Sequence, residues 1–168
     1  MAGRKAVLIR EQRPYLLIDV DFVLNPDFSG TWDGSGGDAL REAGWVVLGD
    51  FAMNGRPVWL NRWHGLKLLH AAEATGAKLA WATRWHEYAN QVAAPVLGLP
   101  QLPVAPCEPG REKPLSVIPW TQGRRFAWLD DEQGVIDGCD GSGVKVDPVT
   151  GLTDADIEKA VALLGRAS

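Results

Sequence analysis

Carboxylates and a threonine stand directly after three short apolar runs of the chain. Asp19 and Asp21 end the first run, Thr83 follows the second, and the pair Asp130 and Asp131 ends a third. The carboxyl ends of parallel strands meet at one edge of a sheet, so we expect these side chains to share one crevice. Their types suit phosphoryl transfer.

A carboxylate can attack a phosphoryl group and form an aspartyl-phosphate, which divides hydrolysis into two steps. Asp19 is placed for this attack, and Asp21 can protonate the leaving oxygen and then activate water. Thr83 and Lys113 would hold phosphate oxygens. Clustered carboxylates repel one another unless a cation neutralises them. Oxygen ligands without a Cys or His cluster favour magnesium, so the sequence predicts a Mg²⁺ cofactor.

Each of these signals is weak alone. An isolated D-x-D is more often a solvated strand end, and Lys113 by itself would be a surface lysine. Thr83 would cap a helix in either case. Arg84 and Asn25 are further candidate contacts for phosphate, although such residues are more often surface and turn residues. The ordered set therefore carries the prediction.

The elements that must position these residues alternate between strands and helices. Strands are predicted at 15–20, 77–82, 125–129 and 144–146, helices at 61–76 and 86–94 and from Thr153 onward, and a hairpin flap at about 45–60 that turns at Asn54-Gly55. This rhythm predicts an α/β fold with a doubly wound, mainly parallel sheet and helices on both faces. Too few residues remain for a large cap domain.

The composition fits one soluble domain spanning residues 1–168. A formal net charge of -4 gives no general attraction for nucleic acid or an anionic membrane. Cys107 and Cys139 lack metal or disulfide spacing, and no stretch reaches the length of a signal peptide core or a membrane span. We therefore expect a cytoplasmic protein with no membrane association, and no stable partner is readable.

The ordered motifs resemble those of the haloacid dehalogenase (HAD)-like hydrolase superfamily. The resemblance is to the HAD domain associated with Swiss Army Knife RNA repair-like proteins in particular. It covers most of the chain and is carried by D-V-D-F-V at 19–23 with L-N-P after it, L-A-W-A-T at 79–83, Lys113, and W-L-D-D at 128–131.

The resemblance implies a magnesium-dependent phosphatase and a role for each motif residue. The implied roles are Asp19 as nucleophile and metal ligand, Asp21 as acid/base and as metal ligand through its backbone carbonyl, Thr83 and Lys113 as phosphate contacts, Asp130 as metal ligand, and Asp131 as a supporting or alternative ligand. The order differs from that of phospho-receiver domains, which place an acidic pair on the first strand and their lysine near the last.

Phe22 departs from the motif, which commonly has glycine there, where the chain bends close to the substrate. Phe22 could narrow the pocket, stack on a ring or base of the substrate, or mark a domain that binds without catalysing. The resemblance implies that the substrate is a phosphomonoester. The resemblance favours nucleic-acid ends or another large substrate, and a small molecule is the alternative.

Overall fold

The computed structural model describes residues 13–28, 37–53 and 56–165. The strands are β1 (Tyr15–Ile18), β2 (Trp45–Met53), β3 (Arg56–Asn61), β4 (Lys78–Trp81), β5 (Phe126–Asp130) and β6 (Gly143–Lys145). The helices are α1 (Gly37–Glu42), α2 (Arg62–Thr75), α3 (Ala94–Leu97), α4 (Lys113–Trp120), α5 (Gln133–Gly138) and α6 (Asp154–Leu164), with a π-helical turn at Ala89–Ala93 before α3.

Four strands form a parallel sheet in the order β4-β1-β5-β6. β1 lies between β4 and β5, and Ile18 is level with Trp81 on one side and Leu129 on the other. The residues that follow these three positions therefore leave the sheet at the same edge. The predicted mainly parallel α/β sheet is confirmed.

The residues of β1 alternate between two hydrophobic cores. Leu16 and Ile18 pack into one core beneath α2, α3 and α6, whereas Tyr15 and Leu17 pack into the other beneath α4 and α5. All four are buried, which explains why the strand reads as a continuous apolar run. Helices thus cover both faces of the sheet, as predicted.

The predicted hairpin is present beside the sheet. β2 and β3 pair antiparallel, with Trp45 opposite Asn61 and Leu48 opposite Val58. Val58 and Leu60 are buried in the first core, so β3 is anchored to the body of the domain. The Asn54-Gly55 turn lies outside the described residues.

α2 begins and ends where the sequence predicts. The Asn61 side chain accepts a hydrogen bond from the backbone N–H of Trp63 at 3.0 Å, and Gly76 ends the helix at φ +67°. Asn61 is also the last residue of β3, so this helix follows the hairpin directly.

The second helix differs from its prediction at 86–94. The chain makes turns up to Glu87, then the π-helical turn, and then α3, which contains Pro95 in its first turn. A proline has no N–H to donate, so it is tolerated where a helix starts and not within one. The ladder shifts to the wider π spacing just before it, with the Ala94 N–H bonded to the carbonyl of Ala89.

In the part of the chain that the structure describes, no helix has the length and apolar character needed to cross a bilayer. Cys107 and Cys139 are free, buried thiols.

Candidate active site

Three adjacent strands bring the predicted motif residues to one edge of the sheet. Asp19 follows β1, Asp130 is the last residue of β5, and Thr83 stands two residues beyond β4. All three are buried, at 4%, 0% and 1% exposure. Buried polar groups at strand ends need partners. The side chains that contact Asp19, Thr83 and Asp130 define the site.

Lys113 reaches this edge from the first turn of α4, and its side chain is buried. Its Nζ lies 2.5 Å from Oδ2 of Asp19 and 2.9 Å from Oδ2 of Asp130. One ammonium therefore bridges two carboxylates that would otherwise repel each other inside the protein. The lysine is 94 positions from Asp19 in the chain, so only the fold brings them together.

Burial and the charges of neighbouring groups together shift the pKa values of Asp19, Asp130 and Lys113. It raises the pKa of Asp19 above its ordinary value, against the opposing effects of the Lys113 charge and of hydrogen bonds from Lys113 and Thr83. Burial and the nearby charge of Asp19 raise the pKa of Asp130 to about 7. Burial alone would lower the pKa of Lys113, but the charges of Asp19 and Asp130 outweigh it and raise that pKa. Lys113 is therefore a permanent cation.

Asp131 completes a group of three acidic side chains. Asp19, Asp130 and Asp131 each offer a carboxylate oxygen, and these oxygens lie within 4.8 Å of one another. Burial, followed by the charge of Asp19, raises the pKa of Asp131 to about 6. Three carboxylates share one lysine cation, so a further cation is electrostatically favoured. Hard oxygen donors in this number suit Mg²⁺. The residues present therefore fit the metal predicted from the sequence, although its binding stays a prediction.

The Asp21 side chain points away from that acidic group, toward two side-chain donors. Its Oδ1 accepts from Nδ2 of Asn25 at 3.0 Å, and its Oδ2 accepts from Nε1 of Trp85 at 2.9 Å. Of the four predicted metal ligands, Asp21 is thus the one whose carboxylate lies apart. This arrangement is compatible with the expectation that Asp21 would use its backbone carbonyl.

Phe22 lies in a tight turn that follows the D-x-D pair. Its φ is +62°, in the left-handed region, and its N–H donates to the carbonyl of Asn25 at 2.8 Å. A residue with a Cβ pays about 1–2 kcal/mol in that region, which glycine does not. The backbone at Phe22 therefore has a conformation that glycine adopts without this penalty, and the residue is half-buried.

Asn25, predicted as a phosphate contact, bridges this turn to the hairpin. Its Oδ1 accepts from the backbone N–H of Trp59 in β3 at 2.8 Å, while its Nδ2 donates to Asp21. Its role as a direct contact of the substrate stays a prediction.

Arg84, also predicted to contact phosphate, lies at the edge of the site in an ion pair. Its Nη1 is 2.5 Å from Oε1 of Glu132, and the same oxygen is 3.0 Å from Nζ of Lys113. Arg84, Lys113 and Glu132 line a pocket of about 280 Å³ together with Arg111. Displacement of Glu132 would free Arg84 for a bound anion, whereas Lys113 would keep its contacts with Asp19 and Asp130.

The sequence analysis gave no catalytic or binding role to Trp85, Glu132 or Arg111. Glu132 could have been suspected because it follows the D-D pair directly. Trp85 stands two positions after Thr83 and so belongs to the same turn. Its backbone N–H donates to Oγ1 of Thr83 at 3.3 Å. Nothing in the sequence distinguished Arg111 from other arginines.

No protein-family model matches the chain, and no curated protein matches it. Among solved structures, a hypothetical protein from Xanthomonas campestris is similar, with 18% identity, a TM-score of 0.47 and coverage of 94% of this chain and 84% of that chain. A protein from Vibrio cholerae proposed to be a 3-deoxy-D-manno-octulosonate 8-phosphate phosphatase is also similar, with 14% identity, a TM-score of 0.44 and coverage of 94% of this chain and 86% of that chain.

Proposed function

We propose that this protein is a magnesium-dependent phosphomonoester hydrolase that works through an aspartyl-phosphate on Asp19. The observation that carries the proposal is the buried contact of one lysine, Lys113, with Asp19 and Asp130 at the open edge of a parallel sheet. Stability alone does not account for three buried charges, because burying charged groups carries a large desolvation free energy. The ordered motif set and its HAD-like resemblance support the same reading.

The reaction divides between two carboxylates. An Asp19 oxygen forms a bond to phosphorus as the bond from phosphorus to the leaving oxygen breaks, and protonated Asp21 gives its proton to that oxygen. Water then attacks the phosphorus, and its proton returns to the Asp21 carboxylate. Cleavage of the acyl phosphate releases inorganic phosphate and restores Asp19. Lys113 and Thr83 hold the phosphoryl oxygens during both steps.

The metal would be held by Asp19, Asp130 and Asp131, with the backbone carbonyl of Asp21 as a further ligand implied by the motif resemblance. When bound, Mg²⁺ supplies positive charge that offsets the phosphoryl oxygens and the acidic side chains. Lys113 offsets further negative charge at the nucleophile, since it contacts Asp19 directly.

The substrate class is a phosphomonoester, and nucleic-acid ends are the substrate that we place first. The resemblance to the RNA repair-associated domain supports this, as does the pair of arginines, Arg84 and Arg111, beside Lys113. The net charge of -4 opposes it, and a small phosphomonoester is the competing substrate. Two buried free thiols fit a reducing cytoplasm, which is our proposal for the compartment.

A non-catalytic binding module is the second candidate, and Phe22 is the observation that favours it. The motif resemblance implies that the chain passes close to the substrate at this position, so the phenyl ring could exclude a reacting phosphate.

The test is phosphate release from 4-nitrophenyl phosphate and from 3'- and 5'-phosphorylated oligonucleotides, with Mg²⁺ and with EDTA. We expect release that requires the metal and is abolished by Asp19→Asn. Asp140→Asn is the matched control because Asp140 is exposed and asparagine tolerates its positive φ. A folded wild-type protein that releases no phosphate from any of these substrates would favour the binding module.

A further inference from the structure

The carboxylate of Asp21 has both oxygens engaged by neutral side-chain donors. The Trp85 indole N–H and the Asn25 amide lie 2.9 Å and 3.0 Å away, on different oxygens. Two donors on two oxygens fix the plane of a carboxylate, whereas one donor leaves it free to rotate. We propose that Trp85 and Asn25 are positioning residues that set the orientation of Asp21 for proton transfer. This inference rests on the proposed function.

The direction of both hydrogen bonds is fixed by chemistry. An indole Nε1 can only donate, so Oδ2 of Asp21 must accept from Trp85. The backbone N–H of Trp59 can also only donate, which turns the amide oxygen of Asn25 toward β3 at 2.8 Å. The amide NH₂ of Asn25 must then face Asp21.

Both donors are themselves held in place. Trp85 is 4% exposed and lies in the first core, where its ring packs at a tilt against Tyr88 with centroids 5.6 Å apart. Asn25 is tied to β3 through Trp59 and to the turn after β1 through its backbone N–H, which bonds to the carbonyl of Val20 at 2.9 Å. The orientation of Asp21 is thus set by the core on one side and by the hairpin on the other.

This arrangement leaves the chemistry available. A carboxylate oxygen has two lone pairs, so each Asp21 oxygen can accept one hydrogen bond and still carry or receive a proton. The proton transferred in the first step goes from Asp21 to the leaving oxygen, and the proton from water returns to Asp21 in the second. Orientation matters in both steps because misplacement of about 1 Å can cost about a hundredfold in rate.

Leaving groups of different basicity separate positioning from general damage. A 4-nitrophenolate leaves with little help, whereas an alkoxide needs a proton from the acid. The value of kcat/KM reports steps up to loss of the leaving group, so it isolates this proton transfer from the later hydrolysis. We therefore compare kcat/KM for an alkyl phosphate with kcat/KM for 4-nitrophenyl phosphate.

The variants are Trp85→Phe, which keeps an aromatic ring but removes the donor, and Asn25→Ala. The control is Trp81→Phe, which removes another buried indole N–H, bonded to Oδ1 of Asn90 at 2.8 Å. We expect Trp85→Phe to lower kcat/KM for the alkyl phosphate by about 10- to 100-fold, with less than about a threefold loss for 4-nitrophenyl phosphate. Asn25→Ala removes a predicted phosphate contact as well, so it should lower both values, with a loss for the alkyl phosphate about 10-fold or more greater than that for 4-nitrophenyl phosphate. Trp81→Phe should change both values by the same factor.

Two failures are distinguishable. A folded wild-type protein inactive on both substrates would overturn the proposed function. The positioning role alone would be overturned if the wild type is active and each variant changes the two kcat/KM values by equal factors, as is expected for Trp81→Phe. Circular dichroism checks that each variant folds. Asn25 is only half-buried, so we expect Asn25→Ala to fold. If Trp85→Phe does not fold, Asn25→Ala therefore tests the positioning role.

Discussion

Replacement of Lys113 by methionine removes the cation from between two buried carboxylates while keeping a flexible side chain of similar length. Nζ of Lys113 lies 2.5 Å and 2.9 Å from the carboxylates of Asp19 and Asp130, and the lysine is 2% exposed. Breaking a buried ion pair by removing one partner typically costs about 3–5 kcal/mol. We expect a loss of free energy of unfolding in that range at pH 8.

The loss should shrink as the pH falls. Asp130 already has its pKa raised to about 7 by burial and by the charge of Asp19, and burial likewise raises that of Asp19. Without Lys113, both pKa values should rise further. A carboxyl group whose pKa is raised in the folded state binds protons more readily there than in the unfolded chain. Its unfavourable effect is therefore absent below the ordinary carboxyl pKa of 3.8, grows as the pH rises from there, and is complete above the folded pKa.

Urea denaturation of metal-free protein at pH 5 and pH 8 measures both effects. The control is Lys159→Met, whose lysine side chain is 65% exposed, and we expect that variant to change stability by less than about 0.5 kcal/mol. If Lys113→Met lowers the free energy of unfolding no more than the control does, or by the same amount at the two pH values, Lys113 does not stabilise the two buried carboxylates in this way.

Two further predictions concern Phe22 and His64. At Phe22, glycine should give a more stable protein than alanine by about 1 kcal/mol in chemical denaturation, since φ is +62° and the Cβ of alanine is strained in the left-handed region. Equal stabilities, or alanine above glycine, would contradict the strained turn. Burial lowers the pKa of His64 to about 4, so the unfolded chain, with an ordinary pKa near 6.5, binds the proton more readily. The stabilisation that His64 gives to the folded state is therefore complete above about pH 6.5. Up to about 3 kcal/mol of this stabilisation is lost as the pH falls toward 4. His64→Leu should therefore flatten the dependence of stability on pH between 4 and 6.5, and an unchanged slope would exclude His64 as its source.

The sequence predicted the sheet edge well because the information there is local. Each strand is a short apolar run, and the polar residue that ends it must emerge at the edge where parallel strands finish. Asp19, Thr83 and Asp130 could therefore be placed together without a structure. Lys113 could be assigned only through its order among the motifs, since nothing near it in the chain shows where its side chain points.

The remaining features depend on packing between distant segments. The donors to Asp21 come from a core tryptophan 64 positions away and from an asparagine whose amide is turned by the hairpin. The role of Glu132 follows from its contacts with Arg84 and Lys113, which the sequence does not encode at any fixed spacing. The π-helical turn before Pro95 was missed because periodicity alone does not separate α from π spacing over five residues.

The proposed mechanism requires that Asp19 becomes phosphorylated during turnover. Asp21→Asn should slow the release of phosphate from the enzyme more than its uptake from an activated substrate such as 4-nitrophenyl phosphate, because water attack needs the base while the 4-nitrophenolate leaves with little help. Acid quenching of this variant with that substrate and Mg²⁺, followed by peptide mass spectrometry, should find phosphate on Asp19. If the wild type turns over substrate but neither protein yields a phosphorylated peptide, or if the phosphate is on another residue, Asp19 is not the nucleophile of the reaction.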